Sequence, residues 1–360
     1  MQHAASSIDW NALAARIKGW GAELGFDAVG ITGTDLGDAE TGLLDWLGAG
    51  FHGAMDYMAR HGSRRARPAE LVPGTLRVVS ARINYWPQAA DAKSVLGERH
   101  LAYVSRYALG RDYHKLLRAR LQALCGRIAG VAGDFGCRVF TDSAPVMEVE
   151  LATRAGLAWR GKHTLALTRD AGSWFFLGEI YCDLPLPVDQ PQADHCGSCE
   201  RCLDACPTRA IIAPYRLDAR LCISYLTIEL RGSIPEQLRP LIGNRVYGCD
   251  DCQLCCPWNR YARITPEHDF RVRNGLDAAT LAELFAWSAE EFDARLAGSA
   301  TRRIGYECWL RNLAVGLGNA ASTPEGIAAL RARSDHPSEL VREHVAWALA
   351  RHARSPLRAN

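Results

Sequence analysis

Nine of the thirteen cysteines fall between Cys196 and Cys256. The first run reads Cys196-x2-Cys199-x2-Cys202-x3-Cys206-Pro207, the spacing at which thiolates wrap a cubane 4Fe–4S cluster. A second run, Cys249-x2-Cys252-x3-Cys256-Pro257, repeats the Cys-Pro ending, with Cys222 isolated between the two. In two-cluster proteins the cysteine before the proline ligates the other cluster. That rule predicts Cys196, Cys199, Cys202 and Cys256 around one 4Fe–4S cluster and Cys206, Cys222, Cys249 and Cys252 around a second, leaving Cys255 spare. Two zinc ions could also consume eight thiolates, but three cysteines within seven residues suit a cubane corner better than a tetrahedral ion.

Two such clusters move single electrons and offer a substrate no place to react. No Walker run, HExxH or GxSxG is present, and Gly316-Leu-Gly318 resembles half a dinucleotide fingerprint but lies in an apolar helix, where it reads as packing. The electron acceptor is therefore expected to be a cofactor that binds without a short motif, with cobalamin and haem as the choices. For proton chemistry the residue singled out is Asp142. It follows a predicted strand over 137–141 and precedes Ser143-Ala-Pro145 and a predicted helix over 146–155, at an edge where ligands bind in open α/β sheets. The same placement suits a helix cap.

The elements that must position these residues fall into three blocks. Over 1–186, helices at 7–24, 43–58, 112–131 and 146–155 interleave with strands at 26–32, 76–85, 137–141, 164–168 and 174–181, the last two read as a pair around the 170–173 turn. This predicts an α/β domain with a mixed sheet. Arg60, Arg64, Arg65 and Arg67 mark a basic turn, read as a solvated loop in preference to an anion clamp. A Pro-rich connector at 184–191 leads to a bacterial-ferredoxin-like block, 187–268. Short amphipathic helices fill 269–360, and their shared Trp/Leu/Ala/Val pattern predicts a HEAT-like helical cap. Cys125, Cys137, Cys182 and Cys308 read as core thiols.

The chain is 48% hydrophobic and 23% charged, with a formal net charge of +2, so bulk charge points to neither nucleic acid nor acidic ligands. No apolar run is long enough to span a membrane and residues 1–10 lack a secretory plan. Cluster thiolates need a reducing compartment, so the cytoplasm is expected.

Longer strings carry a resemblance across nearly the whole length. They are Arg106-Tyr-Ala-Leu-Gly-Arg-Asp-Tyr-His114, Thr141-Asp-Ser-Ala-Pro-Val146, Ala155-Gly-Leu157 with Gly161-Lys162, and Gly172-Ser-Trp174. Further along come Cys222-Ile-Ser-Tyr-Leu-Thr-Ile-Glu-Leu-Arg-Gly232, Cys256-Pro-Trp-Asn259, and Trp309-Leu-Arg-Asn-Leu-Ala314 with Gly318-Asn319. The sequence resembles the epoxyqueuosine reductases, the cobalamin- and 4Fe–4S-dependent enzymes of tRNA queuosine biosynthesis. The resemblance implies reduction of epoxyqueuosine to queuosine at the tRNA wobble position, the last step of that synthesis. It implies a base-off cobalamin in the α/β domain, used as cob(I)alamin and recharged by the two clusters, with Asp142 as proton donor. By the same resemblance Ser105, Ala166, Leu177, Ser224 and Asp250 lie against the corrin, Arg231 lies against tRNA, and the helical tail helps grip the RNA. A monomer served by an external flavodoxin- or ferredoxin-type electron donor is expected. Two departures stand near the cofactor. Glu148-Val149 replaces the family's Glu-Arg, and Ala158-Trp-Arg-Gly-Lys-His163 replaces Gly-Trp-Ile-Gly-Lys-Asn. The rival readings are a cobalamin-dependent reductive dehalogenase, a class typically exported, and a non-catalytic two-cluster electron carrier.

Overall fold

The structure, a computed structural model, describes residues 8–354. Ser7, at the start of the first predicted helix, lies outside the described residues. The chain groups into two compact units, each assembled from separate segments. The first comprises the chain up to Asn84, Tyr113–Cys199 and Trp258–Arg263; the second comprises Tyr85–Asp112, Glu200–Pro257 and the chain from Ile264 onward.

In the first unit the elements are α1 (Trp10–Glu23), β1 (Ala28–Thr32), α2 (Ala39–Gly48), β2 (Arg77–Asn84), α3 (Tyr113–Ala132), β3 (Cys137–Phe140), α4 (Glu148–Arg154) and β4 (Phe175–Cys182). Asp9 caps α1 as the pattern predicts, its carboxylate accepting the N–H groups of Asn11 and Ala12. The strands form one sheet in the order β1–β2–β4–β3, and every neighbouring pair is antiparallel. The expected mixed sheet is therefore corrected for this unit. Interleaved helices and strands suggest parallel crossovers, but here the connection from β2 to α3 runs through the second unit. The predicted pairing of 164–168 with 174–181 also fails. Ala166–Leu167 pairs with Trp159–Arg160, while β4 pairs with β2 and β3, and a single bridge, Thr168 to Gly172, closes the 170–173 turn.

β4 is buried along its whole length because helices cover both its faces. On one face Phe176 stacks on Tyr113 of α3 at 3.8 Å, and a side chain at Gly178 would meet Leu121. On the other, Phe175 and Leu177 cluster with Ala152 and Ala155 at α4, and Tyr181 with Leu151. The Pro-rich connector packs on this unit: Leu186 is buried, its carbonyl accepts from Arg77, and Asp189 accepts from the Ile31 N–H and from Lys18.

The second unit carries most of the cysteine stretch together with helices α5 (Leu281–Ala286), α6 (Ala289–Arg295), α7 (Tyr306–Asn319), α8 (Pro324–Arg331) and α9 (Glu339–Arg354). Capping boxes, Thr280 with Glu283 and Ser288 with Glu291, start α5 and α6. Gly316 and Gly318 are packing residues: side chains there would run into Leu281 and into Trp347 and Ala348. Tail and cysteine stretch share one core, in which Leu284, Trp309, Leu313 and Val345 join Val104, Ile228, Val246 and Tyr247. Among the described residues no helix is long and apolar enough to cross a membrane.

Candidate active site and cluster ligands

In the first unit, β3 ends at Phe140 and the chain turns sharply at Asp142, whose φ of 32° lies in the left-handed region. Asp142 does not cap α4: the cap position is Met147, and no side chain serves there. Its side chain is 53% exposed and held from the start of α3. Tyr113 donates its phenolic O–H to Oδ2 at 2.5 Å, and His114 Nε2 lies 3.5 Å from the same oxygen. Tyr113 is itself fixed between the rings of Phe176 and His114, 3.8 and 4.4 Å away. Within the turn Ser143 donates to the Thr141 carbonyl and the Val146 N–H to the Ala144 carbonyl. Arg65, from the basic turn, is buried; its guanidinium donates to the Tyr57 carbonyl at 3.0 Å and reaches the Ala144 carbonyl at 3.5 Å. Arg67 pairs with Glu40 and Glu70. The solvated reading of that turn is thus corrected for Arg65, which fills the interior beside the Asp142 turn.

Two further carboxyls stand beside Asp142. Glu148 opens α4, half-buried in surface terms but densely surrounded, and accepts the Asp142 backbone N–H. Burial, reinforced by the Asp142 charge, pushes it up to about 8. Glu179, on β4, is fully buried; burial and then the charges of Glu148 and Asp142 raise it well above the carboxylate range, opposed only by the Ser80 hydroxyl. Sequence reasoning missed both as functional groups, and Tyr113 and His114 as well.

The cysteines divide between the units. In the second, Cys206, Cys222, Cys249 and Cys252 lie close enough to feel one another: Cys222 senses Cys206, Cys252 senses Cys222, Cys255 and Cys206, and Cys249 senses Cys252. Backbone N–H groups converge on these sulfurs as they do on cluster thiolates. The Ala210 N–H meets Cys206 at 3.2 Å, and those of Ser224 and Tyr225 meet Cys222. Cys202 and Cys256 also belong to this unit, with Cys255 near both. Burial, then those neighbouring thiols, pushes Cys255 up to about 12, and its S–H contacts the Cys252 carbonyl at 3.4 Å. In the first unit burial raises Cys196, opposed by the Lys162 N–H and the Trp159 indole, and Cys199 follows on the same turn. Among the described residues no three His, Cys, Asp or Glu side chains converge as a single metal ion requires.

Two family models match the chain: a 4Fe–4S double cluster binding domain over residues 195–259, and the epoxyqueuosine reductase QueG domain (DUF1730) over residues 65–143. An epoxyqueuosine reductase of Burkholderia pseudomallei is 63% identical, aligned over 94% of this chain and 91% of its own. The chain belongs to the epoxyqueuosine reductase family. Among solved structures, an epoxyqueuosine reductase with a tRNA-Tyr epoxyqueuosine-modified stem loop matches with a TM-score of 0.87 at 28% identity, covering 94% of this chain and 90% of its own. The Bacillus subtilis epoxyqueuosine reductase, solved with an aspartate-bearing catalytic loop swung out of its active site, matches with a TM-score of 0.85 at 28% identity, over 94% and 90%. The cysteine stretch is a 4Fe–4S binding domain of an oxidoreductase.

The family strings now have physical content. Asn259 accepts the Ser173 N–H at 2.7 Å and presses on Gly172, where any side chain would overlap it. In the second unit Arg311, with no exposed surface, donates to the carbonyls of Leu226, Leu230 and Gly232. Asn312 donates to Thr227 and Val246, and Asn319 to Arg239 and Gly243. Helix α7 thus moulds the π-helical segment Tyr225–Glu229 that follows Cys222.

Of the residues expected against a corrin, Ala166 and Leu177 share one apolar cluster of the first unit. Ser105 and Asp250 meet in a buried knot of the second: Asp250 accepts from Ser105 Oγ at 2.5 Å, Tyr103 Oη at 2.7 Å and the Arg106 N–H at 2.8 Å. Ser224 hydrogen bonds to Cys222. Arg231, exposed, donates to the Ile304 and Arg303 carbonyls, and so stands beside Arg303 in space though far from it in sequence.

Proposed function

We propose that this protein reduces epoxyqueuosine to queuosine in tRNA, with Asp142 as the group that protonates the epoxide oxygen. The observation that carries this reading is the Asp142 cradle: an exposed carboxyl on a strained turn, aimed by Tyr113 and His114 and braced through Arg65. Removing an epoxide oxygen as water takes two electrons and two protons, so the site must hold a proton where the oxygen departs. Tyr113 sets the carboxyl's direction, and its own ring is locked by stacking, so the acid is oriented before substrate arrives. A relative of the same fold holds an epoxyqueuosine-modified stem loop, and another was solved with an aspartate-bearing catalytic loop swung out of its active site, which supports the assignment of substrate and acid.

The cofactor reading is a base-off cobalamin with two 4Fe–4S clusters. Each unit offers groups that fit in kind: in the first, Ala166 and Leu177 are apolar, and in the second, buried Arg106 keeps Nε and Nη2 without hydrogen-bond partners, donors of the sort that corrin amide or phosphate oxygens accept. Cobalamin, when bound, supplies a strong nucleophile and reductant matched to an epoxide carbon. Cys206, Cys222, Cys249 and Cys252 hold one cluster, and Cys196, Cys199, Cys202 and Cys256 the other, which leaves Cys255 spare. The helical tail and Arg231, with Arg302 and Arg303, face tRNA phosphates, making binding salt-dependent. A flavodoxin- or ferredoxin-type donor recharges a monomer in the cytoplasm. Anaerobic reconstitution with iron, sulfide and cobalamin, then incubation with epoxyqueuosine-containing tRNA, should give queuosine by nucleoside mass analysis. Failure there with success on an organohalide would reverse the reading.

A further inference from the structure

We propose that Glu148 and Glu179 form a proton relay that recharges Asp142, so that both protons of the reduction pass through one carboxyl. The relay rests on Asp142 being the proton donor. A single carboxyl holds one proton and the reaction consumes two, so a second must reach the site within one turnover.

The geometry supplies a path. Glu148 begins α4 six residues after Asp142, and the Asp142 backbone N–H donates to its carboxylate. Glu179 stands opposite Phe140 in the β4–β3 ladder, two residues before Asp142, on the sheet face that α4 covers. Across the β2–β4 ladder it faces Ser80, and two residues further along its own strand stands Tyr181. The Tyr181 hydroxyl is buried without a hydrogen-bond partner, and the Ser80 hydroxyl is the one polar group that acts on Glu179 as a donor. A carboxyl kept in a core for structure would be matched by a cation or by several donors; this one has a single hydroxyl, Ser80, that can also pass a proton.

The groups acting on Glu148 are Asp142 and His114, and those acting on Glu179 are Glu148, Asp142 and Ser80. The Asp142 backbone N–H and His114 favour the ionised form of Glu148, and Ser80 that of Glu179; burial and the carboxyls' own mutual repulsion act the other way and prevail. At neutral pH Glu148 and Glu179 therefore each keep a proton. When Asp142 gives its proton to the substrate oxygen, the Glu148 O–H proton moves to the Asp142 carboxylate and the Glu179 proton to Glu148. Asp142 then delivers the second proton as the oxygen leaves as water. The negative charge ends on Glu179 and is neutralised from solvent after product release. Electrons come from the external donor, and neither glutamate touches substrate.

The test uses full-length protein and the variants Glu148→Gln and Glu179→Gln. Infrared difference spectra of substrate-free protein at pH 7 should show two protonated buried carboxyls, one vanishing in each variant. In reconstituted enzyme the wild-type kcat should fall as pH rises through about 8, where Glu148 loses its proton. Glu148→Gln should lower kcat about 100-fold at pH 7 with KM unchanged and should abolish that alkaline limb. Should Glu179→Gln fail to fold, Glu148→Gln, at the half-buried start of α4, carries the test alone. Wild-type kcat and pH profile in Glu148→Gln, or two ionised glutamates at pH 7, would overturn the relay. An active Asp142→Asn would instead overturn the reading on which it rests.

Discussion

The carboxyl end of the first unit and the segment after Cys222 in the second are both buried and polar, yet they are built on opposite plans. Around Tyr225–Glu229 the exposed ends of the backbone are tied down: Arg311 and Asn312 engage five carbonyls, and Asp250 accepts three hydrogen bonds. Around Asp142 the turn is strained, the Tyr181 hydroxyl is buried unpaired, and Glu179 has only the Ser80 hydroxyl to favour its charge. Saturated hydrogen bonding fixes a backbone in one arrangement, which suits cluster ligands that must hold still while electrons pass. Unsatisfied carboxyls cost stability but keep protons available. The second unit gives up movement for rigidity, and the first gives up stability for reactivity.

Breaking the rigid side should have the largest effect on folding. Arg311→Leu leaves three buried carbonyls unpaired and should destabilise the second unit by about 3–5 kcal/mol, read as a lower urea midpoint and loss of iron on purification. An unchanged midpoint would show that those ties are dispensable. Next comes the orienting phenol: Tyr113→Phe removes a hydrogen bond to a carboxylate, worth about 1.5–3 kcal/mol, so kcat should fall roughly 10- to 100-fold while thermal stability stays close to wild type. On the reactive side the sign reverses. A carboxyl raised by folding binds its proton more tightly in the native state, so its contribution is fully present below the unfolded value near 4.5 and is lost as pH climbs towards the raised value. Glu179→Gln should therefore match wild type near pH 4 and become more stable at neutral and alkaline pH, by about 1–3 kcal/mol, while turnover drops; scanning calorimetry across pH reads this. The smallest effect is expected from Arg231→Ala, which gives up two carbonyl contacts, about 1 kcal/mol, and should lower the slope of tRNA affinity against salt by about one.

The two regions were also unequally legible in the sequence. Iron–sulfur cysteines sit three or four residues apart, so a local spacing carries their chemistry, and Cys222, isolated between the two runs, completes the second set of four. Helix α1 and its Asp9 cap, and the tail helices, follow from local periodicity as well. Glu179 did not stand out because β4 is covered on both faces, so alternation along 175–182 says nothing about which residues lie inside. Glu148 was visible only as a departure beside Val149; its meaning depends on Asp142 folding back onto it. Strand pairing was misread at 164–181 for a related reason: a turn signal marks a bend, while the partners of β4 come from residues near 80 and 140. Arg65 looked like one of four solvated arginines, since nothing local distinguishes the one that turns inward. The role of Arg311 was hidden in the same way, its partners lying about eighty residues upstream.

The central claim is that Asp142 delivers the proton, and Asp142→Asn tests it most directly, because the amide keeps the shape of the turn and cannot donate as an acid. The variant, reconstituted anaerobically, should carry wild-type iron and corrin absorbance and bind epoxyqueuosine-containing tRNA, yet form queuosine at least 100-fold more slowly by nucleoside mass analysis. Queuosine formation at the wild-type rate would contradict the account.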